Sequence, residues 1–340
     1  MKFDVLVASV AAGVLSLIVA AIMGKGFIPF LRRKHFGQEI REDGPKWHAS
    51  KAGTPTMGGF LFIVGILAAA VVFIFAWIAY DGDVMLPAMI IFLFALGFGA
   101  IGFLDDFVKV AKHRNLGLNV IQKLVLQIAW SLAFVSYLRF EGFVSPDIAI
   151  PFTDVVIHLE WVVYLVFAVL AIVATVNAVN FTDGVDGLLG CVTLPVMVFF
   201  VVAGACEDNV SAGVIAGATA GGVVGFLIYN FNPAKVFMGD TGSLFLGGMV
   251  CALAFTLNMP LIIPIVGLIY VIEILSVVLQ VLYFKATHGK RLFRMSPIHH
   301  HFEMGGWSEK KICLVFGGIT LVMCVIGYIS LYGFNIGVIN

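Results

Sequence analysis

Charge is scarce in this chain. Of 340 residues, only 12% are Asp, Glu, Lys or Arg, where a soluble domain carries about 25%. The 20 basic and 20 acidic residues cancel, so no bulk charge draws a nucleic acid. Patterned cysteine is also lacking. Cys191, Cys206, Cys251, Cys313 and Cys324 form no CxxC pair, and most sit in apolar runs. They read as small packing residues. There is no HExxH spacing, no internal repeat and no low-complexity tract. A secretory leader is not expected either. The first apolar stretch has no small-x-small cleavage site and ends in Arg32, Arg33 and Lys34, so it reads as a retained span.

Apolar residues fill the space that charge leaves. They make up 61% of the chain, and the mean hydropathy is +1.06. An all-α integral membrane protein follows, because in lipid a helix satisfies its own backbone. Ten apolar runs are long enough to cross: 4–24, 59–80, 86–104, 120–140, 159–180, 187–205, 211–230, 243–258, 260–284 and 312–335. They are read as one polytopic domain over 1–340. Segment 141–158, with Pro146 and Pro151, is either a small hairpin or a solvated connector.

Basic residues are unevenly shared between the two sides. Eighteen of 20 fall in one set of loops, Arg41, Lys46, Lys112 and Arg114 among them, and only Lys2 and Arg139 fall in the other. The opposite loops are plain and acidic, with Asp81, Asp83, Asp147, Asp154 and Glu207. The positive-inside rule makes the basic side cytoplasmic. Both termini are then extracytoplasmic, as an even number of spans requires.

Five cytoplasmic segments carry the unusual chemistry: KAGTPTMGG (51–59), LDDFVKV (104–110), NAVNFTDGVDG (177–187), NFNPAKVFMGDTGS (230–243) and SPIHHHFEMGGWSEKK (296–311). They bring Asp105, Asp106, Asp183, Asp186 and Asp240 to one face with Lys51, Lys109, Lys123, Lys235, His299, His300 and His301. Acids beside bases suit a metal pyrophosphate: its oxygens call for lysine, and Mg²⁺, a hard cation, calls for carboxylates. Asp105 and Asp106 are adjacent, so on a helix they point about 100° apart and take different roles. Acids at a helix C-terminus oppose the dipole, which argues against mere solvation.

Asp183 and Asp186 share a face if their segment is helical, as do Asn177 and Asn180. Thr182 or Asp183 is alternatively the N-cap of the next helix. Thr241, Ser243 or Asp240 itself can cap the helix after FMGDTGS, while Phe237 can stack on a base. Phosphate binding or proton transfer suits the three histidines better than zinc. Glu273 is the one acid deep inside a span. It is a functional candidate by position, but a hydrogen bond between helices is the preferred reading.

The strings GFLDDF, NAVNFTDGVDGL, FMGDTGS and above all SPIHHHFE resemble the phospho-N-acetylmuramoyl-pentapeptide-transferase family, within the polyprenyl-phosphate N-acetylhexosamine-1-phosphate transferases. The likeness covers nearly the whole chain. It implies transfer of phospho-MurNAc-pentapeptide from UDP-MurNAc-pentapeptide to undecaprenyl phosphate, giving lipid I and UMP, with Mg²⁺ required. The setting implied is the bacterial cytoplasmic membrane, and a homodimer is what the family suggests.

By the same resemblance Asp240 ligates Mg²⁺ and Asp105 acts on the lipid phosphate. Asp106 supports the metal site or the substrate. Lys51, Asp183, Asp186, Asn230 and Phe237, with Asn177 and Asn180, line the nucleotide pocket. Lys109 and Lys123 bind phosphates. His299 sits at the reaction centre, with His300, His301 and Gln280 beside the nucleotide sugar. Direct attack by the lipid phosphate and a phospho-aspartate intermediate both remain open. The competing readings are a UDP-N-acetylglucosamine-using transferase, a transporter with polar groups at the midplane, and an inactive scaffold.

Overall fold

A computed structural model of the protein describes residues 4–34, 51, 53–81, 85–111, 117–153 and 155–332. Lys2, Arg41, Lys46, Asp83, Lys112, Arg114, Asp154 and the last three residues of the expected span 312–335 lie outside the described residues. The elements in chain order are α1 (Val5–Arg33), α2 (Phe60–Asp81), α3 (Leu86–Ala111), α4 (Val120–Phe140), β1 (Asp147–Ala149), β2 (Val156–His158), α5 (Trp161–Thr182) and α6 (Leu188–Cys206). They continue with α7 (Val210–Asn230), α8 (Gly239–Thr256), α9 (Ile263–Val266), α10 (Leu268–Ala286), α11 (Ile298–Glu303) and α12 (Glu309–Tyr332). Among the described residues ten helices, α1 to α8 with α10 and α12, are long and apolar enough to cross a membrane. The protein is therefore a multi-pass, all-helical membrane protein, apart from one hairpin.

That hairpin is the segment 141–158, where β1 and β2 pair antiparallel with Ile148 opposite Ile157. Two spans differ from expectation. The run 260–284 is not one helix: Pro260–Ile262 forms a 3₁₀ turn and α9 a single turn before α10 begins after Gly267. Pro264, four residues into the run, lacks the N–H that a continuous helix needs there. α3 does not stop with its apolar run at Leu104 but continues to Ala111. Asp105 and Asp106 thus lie well inside a helix, not at its C-terminus, so the helix dipole does not oppose them there.

Lipid offers no hydrophobic drive between helices, so close approach of small residues holds them together. The seam of α1 with α7 shows this. A Cβ on Gly221 would run into the Gly13 carbonyl, and one on Gly217 into Ser9. α8 is the most enclosed helix, with 89% of its apolar window buried, and α4 the least, with 22%. α8 lies against α3 and α5. The start of α8 is thereby presented to the polar ends of both.

Candidate active site

The site assembles where the five polar segments converge. At its centre, oxygens of Asp105, Asp106 and Asp240 all lie within 4.8 Å of one another. Asp105 and Asp106 come from α3 and are 3% exposed. Asp240 comes from the first turn of α8. Lys109, one turn beyond Asp105 on α3, reaches Asp105 Oδ2 at 2.6 Å, Asp106 Oδ1 at 3.7 Å and Asp240 Oδ2 at 3.0 Å. Lys123 reaches the same Asp240 Oδ2 at 2.8 Å. Its position is set by the start of α4: Asn119 accepts from the Gln122 amide, and the Gln122 side chain accepts from the Asn119 amide. This capping box fixes the first helical turn, which carries Lys123. Asn180 of α5 donates to Asp240 Oδ1 at 2.9 Å and to Ser243 Oγ at 2.8 Å.

The two adjacent acids part company, as their angular separation on a helix requires. Asp105 Oδ1 turns to the Leu118 amide at 2.9 Å. Asp106 turns to α8 and accepts from the amides of Asp240 (3.1 Å) and Thr241 (2.9 Å) and from the Thr241 hydroxyl (2.8 Å). It does what an N-cap residue does, from another helix. No side chain at the local N-cap, Met238, makes a cap bond, so the expected caps Thr241, Ser243 and Asp240 are replaced by Asp106. A carboxylate there also meets the positive end of the helix dipole. Replacing Asp106 by alanine should therefore lower the stability of the purified protein by about 1–2 kcal/mol, read as a drop in Tm. An unchanged Tm would show that the cap across helices does not stabilise the fold.

The segment 183–187 is a tight turn between α5 and α6, not a helix, so Asp183 and Asp186 do not share a helical face. The N-cap of α6 is Gly187, at φ +82°, a conformation that favours glycine. Thr182 instead donates to the Ala178 carbonyl, and Asp183 ends α5. The Asp183 carboxyl is pushed up to about 8 by burial and, in addition, by the charges of Asp240, Asp106 and Asp186. Asp186 pairs with Lys51 at 2.7 Å and accepts from the Ala234 amide at 2.9 Å.

Lys51 also meets Glu309 at 2.7 Å, and Glu309 Oε2 accepts from the Asp186 amide at 2.8 Å. Burial works against the Lys51 ammonium, but hydrogen bonds and charge from Asp186 and Glu309 outweigh it and raise its pKa. The loop around 51–59 is tied to the start of α8 through backbone bonds: Phe237 to Pro55, Gly58 to Phe237 and Gly59 to Met238.

Most of the other expected site residues have their polar groups engaged within the protein. Asn177 donates to Gln127 Oε1 at 2.7 Å, one turn from Asn180. Asn230 is buried, accepts from the Gly187 amide and donates to the Val236 carbonyl. Gln280 holds the backbone of Leu292 and Phe293. Phe237 is half-buried beside Val236. His300 Nδ1 lies 2.9 Å from Glu303, and His301 Nδ1 accepts from the Arg294 amide. His299 is fully buried against Glu273. Glu309 and Gln127 were not foreseen. Glu309 carried one weak signal, an acid at the start of a basic, apolar run.

The donor set fits a hard divalent cation. Three carboxylates offer only oxygen, and Lys109 and Lys123 keep the acids from repelling one another. The arrangement can hold an anion-bound metal and, through the two lysines, the phosphate oxygens themselves.

Comparison with known proteins identifies the family. A family model described as glycosyl transferase family 4 matches residues 88–258, which span α3 to α8. A phospho-N-acetylmuramoyl-pentapeptide-transferase of Listeria welshimeri is 43% identical over 311 residues, covering 92% of this chain and 94% of that protein. Proteins of the same name from Clostridium botulinum and Clostridium beijerinckii are each 45% identical, over 91% and 94% of this chain and 92% and 95% of theirs. The chain belongs to the phospho-N-acetylmuramoyl-pentapeptide-transferase family.

Proposed function

We propose that this chain transfers phospho-MurNAc-pentapeptide from UDP-MurNAc-pentapeptide to undecaprenyl phosphate, releasing UMP and leaving lipid I. The observation that carries the reading is the knot of Asp105, Asp106 and Asp240 with Lys109 and Lys123 at one end of the spans. One substrate is anchored in lipid and the other is water-soluble, so the chemistry belongs at a membrane boundary. The excess of basic residues on this side assigns it to the cytoplasm and both termini to the opposite side. The chain acts as one unit in the bacterial cytoplasmic membrane.

Asp240, with Asp105 and Asp106 in reach, would hold Mg²⁺, which neutralises charge on the transferred phosphoryl group. Lys109 and Lys123 turn from Asp240 to phosphate oxygens as substrate enters. Asp105 orients the lipid phosphate. An oxygen of that phosphate attacks the sugar-linked phosphorus of the donor, the bond from phosphorus to the bridging oxygen breaks, and UMP leaves with that oxygen. Asp183, Lys51 and Asp186 line the pocket near Phe237. Asn230 and Gln280 shape its walls.

The test is transfer of labelled donor to undecaprenyl phosphate by purified protein in detergent. Labelled lipid is expected with Mg²⁺ and none with EDTA, restored by added Mg²⁺. Donor alone should leave no phosphoryl label on the protein. Turnover of UDP-N-acetylglucosamine in place of this donor would move the chain to a sister activity, and a phosphorylated aspartate would overturn direct attack.

A further inference from the structure

Glu273 has no part in the reaction above. It lies on α10, fully buried, with Oε2 3.0 Å from His299 Nδ1. His299 is itself 0% exposed, carried back onto α10 by the short helix α11. Of the neighbouring histidines, His300 keeps its ring 4.2 Å from that of His299 with Nδ1 2.9 Å from Glu303, and His301 Nδ1 accepts from the Arg294 amide. His299 Nε2 is buried with no hydrogen-bond partner among the described residues. It lies against Gly184, where a Cβ would run into it. Gly184 stands between Asp183 and Asp186, so this unpartnered nitrogen borders the very turn that carries both acids.

We propose that Glu273 is a positioning residue: it fixes the ring and the tautomer of His299, so that Nε2 faces the turn 183–186 as a hydrogen-bond acceptor. In a neutral ring that faces an acceptor-only carboxylate the proton is on Nδ1 and the lone pair is left on Nε2. A buried polar atom left unpaired is unfavourable, so the bare nitrogen calls for a partner. The same pairing of a carboxylate with one imidazole nitrogen, to present the other, serves catalytic and metal-bound histidines generally. Nε2 is held against the turn that lines the proposed nucleotide-sugar pocket and acts on the donor through that turn. This rests on the function proposed above, and it gives the intramembrane acid a task without placing it in contact with substrate.

The test is Glu273→Gln beside Glu273→Asp. Glutamine can turn either its oxygen or its NH₂ group toward Nδ1, so the tautomer is no longer fixed; aspartate keeps an acceptor-only group. In protein labelled with ¹⁵N-histidine, His299 is identified by the signals lost in His299→Gln. Wild type and Glu273→Asp are expected in the Nδ1–H form, and Glu273→Gln in a mixture of tautomers. The kcat of Glu273→Gln should fall about 10- to 100-fold, with the donor KM changed less than about threefold. Wild-type spectra and kcat in Glu273→Gln would overturn the proposal. So would an Nε2–H form in the wild type, which decides the matter even if Glu273→Gln does not fold. The spectra need no turnover, so absence of lipid product from the wild type would count against the proposed reaction while leaving this result readable.

Discussion

Asp240→Asn is expected to lower kcat by about 10²- to 10³-fold or more, the loss seen when one preorganised charge-stabilising group is removed from an active site. Asp240 Oδ2 accepts from both Lys109 and Lys123, and Oδ1 accepts from Asn180. An asparagine has one acceptor and one donor end. In one orientation its NH₂ group faces two ammonium groups; in the other it faces the Asn180 amide. Either way donor meets donor, and one of three carboxylates able to hold a cation is gone. The nucleotide pocket proposed above is lined by other residues, so UMP affinity should change little. Initial rates with labelled donor and titration with UMP separate these effects. A variant that keeps more than a tenth of wild-type kcat and still needs Mg²⁺ would remove Asp240 from the metal site.

Gly102→Val should be nearly as damaging, for a reason that involves no chemistry of its own. Gly102 lies one turn before Asp105 on α3, and a Cβ there would run into the Asp240 carbonyl and lie 2.7 Å from the Thr241 amide. Those are backbone atoms and cannot swing aside. Valine must push α3 and α8 apart where Asp106 caps α8, so overpacking of about 1–3 kcal/mol adds to loss of the cap. The three carboxylates would separate, and a shift of about 1 Å at a reacting group can cost 10²-fold in rate. Gly318→Ala is the control, since a Cβ there meets nothing within 4 Å. Tm and initial rate should both fall in Gly102→Val and hold in Gly318→Ala. Wild-type behaviour in both would mean that α3 and α8 do not meet as closely as described.

Much of the fold was legible because lipid imposes one strict rule, and apolar runs long enough to cross obey it. Apart from the broken run 260–284, the failures fall where that rule stops. The apolar run before Asp105 ends at Leu104, but the helix runs on, since a helix that leaves lipid needs no apolar side chains to continue. The caps of α6 and α8 were sought among nearby Thr, Ser and Asp. α8 is capped by Asp106, and no local pattern encodes a partner on another span. Glu309 was missed for the same reason: it pairs with Lys51 across 258 residues. The acids and lysines of the centre were legible because their residue types reveal them. Which histidine is buried was a matter of how α11 folds back, and three identical neighbours carry no mark of it.

The cap on α8 also bears on how the chain is made. Asp106 and the amide it holds are 134 residues apart. At about 5–20 residues per second, α3 leaves the ribosome roughly 7–27 s before its partner exists. For that interval two adjacent carboxylates must sit near the edge of the bilayer with α8 still unmade. Lys109 lies at i+4 from Asp105 and i+3 from Asp106, on their own helix. It is a companion synthesised within the same second, and it lets the nascent helix carry its acids until the centre closes around them.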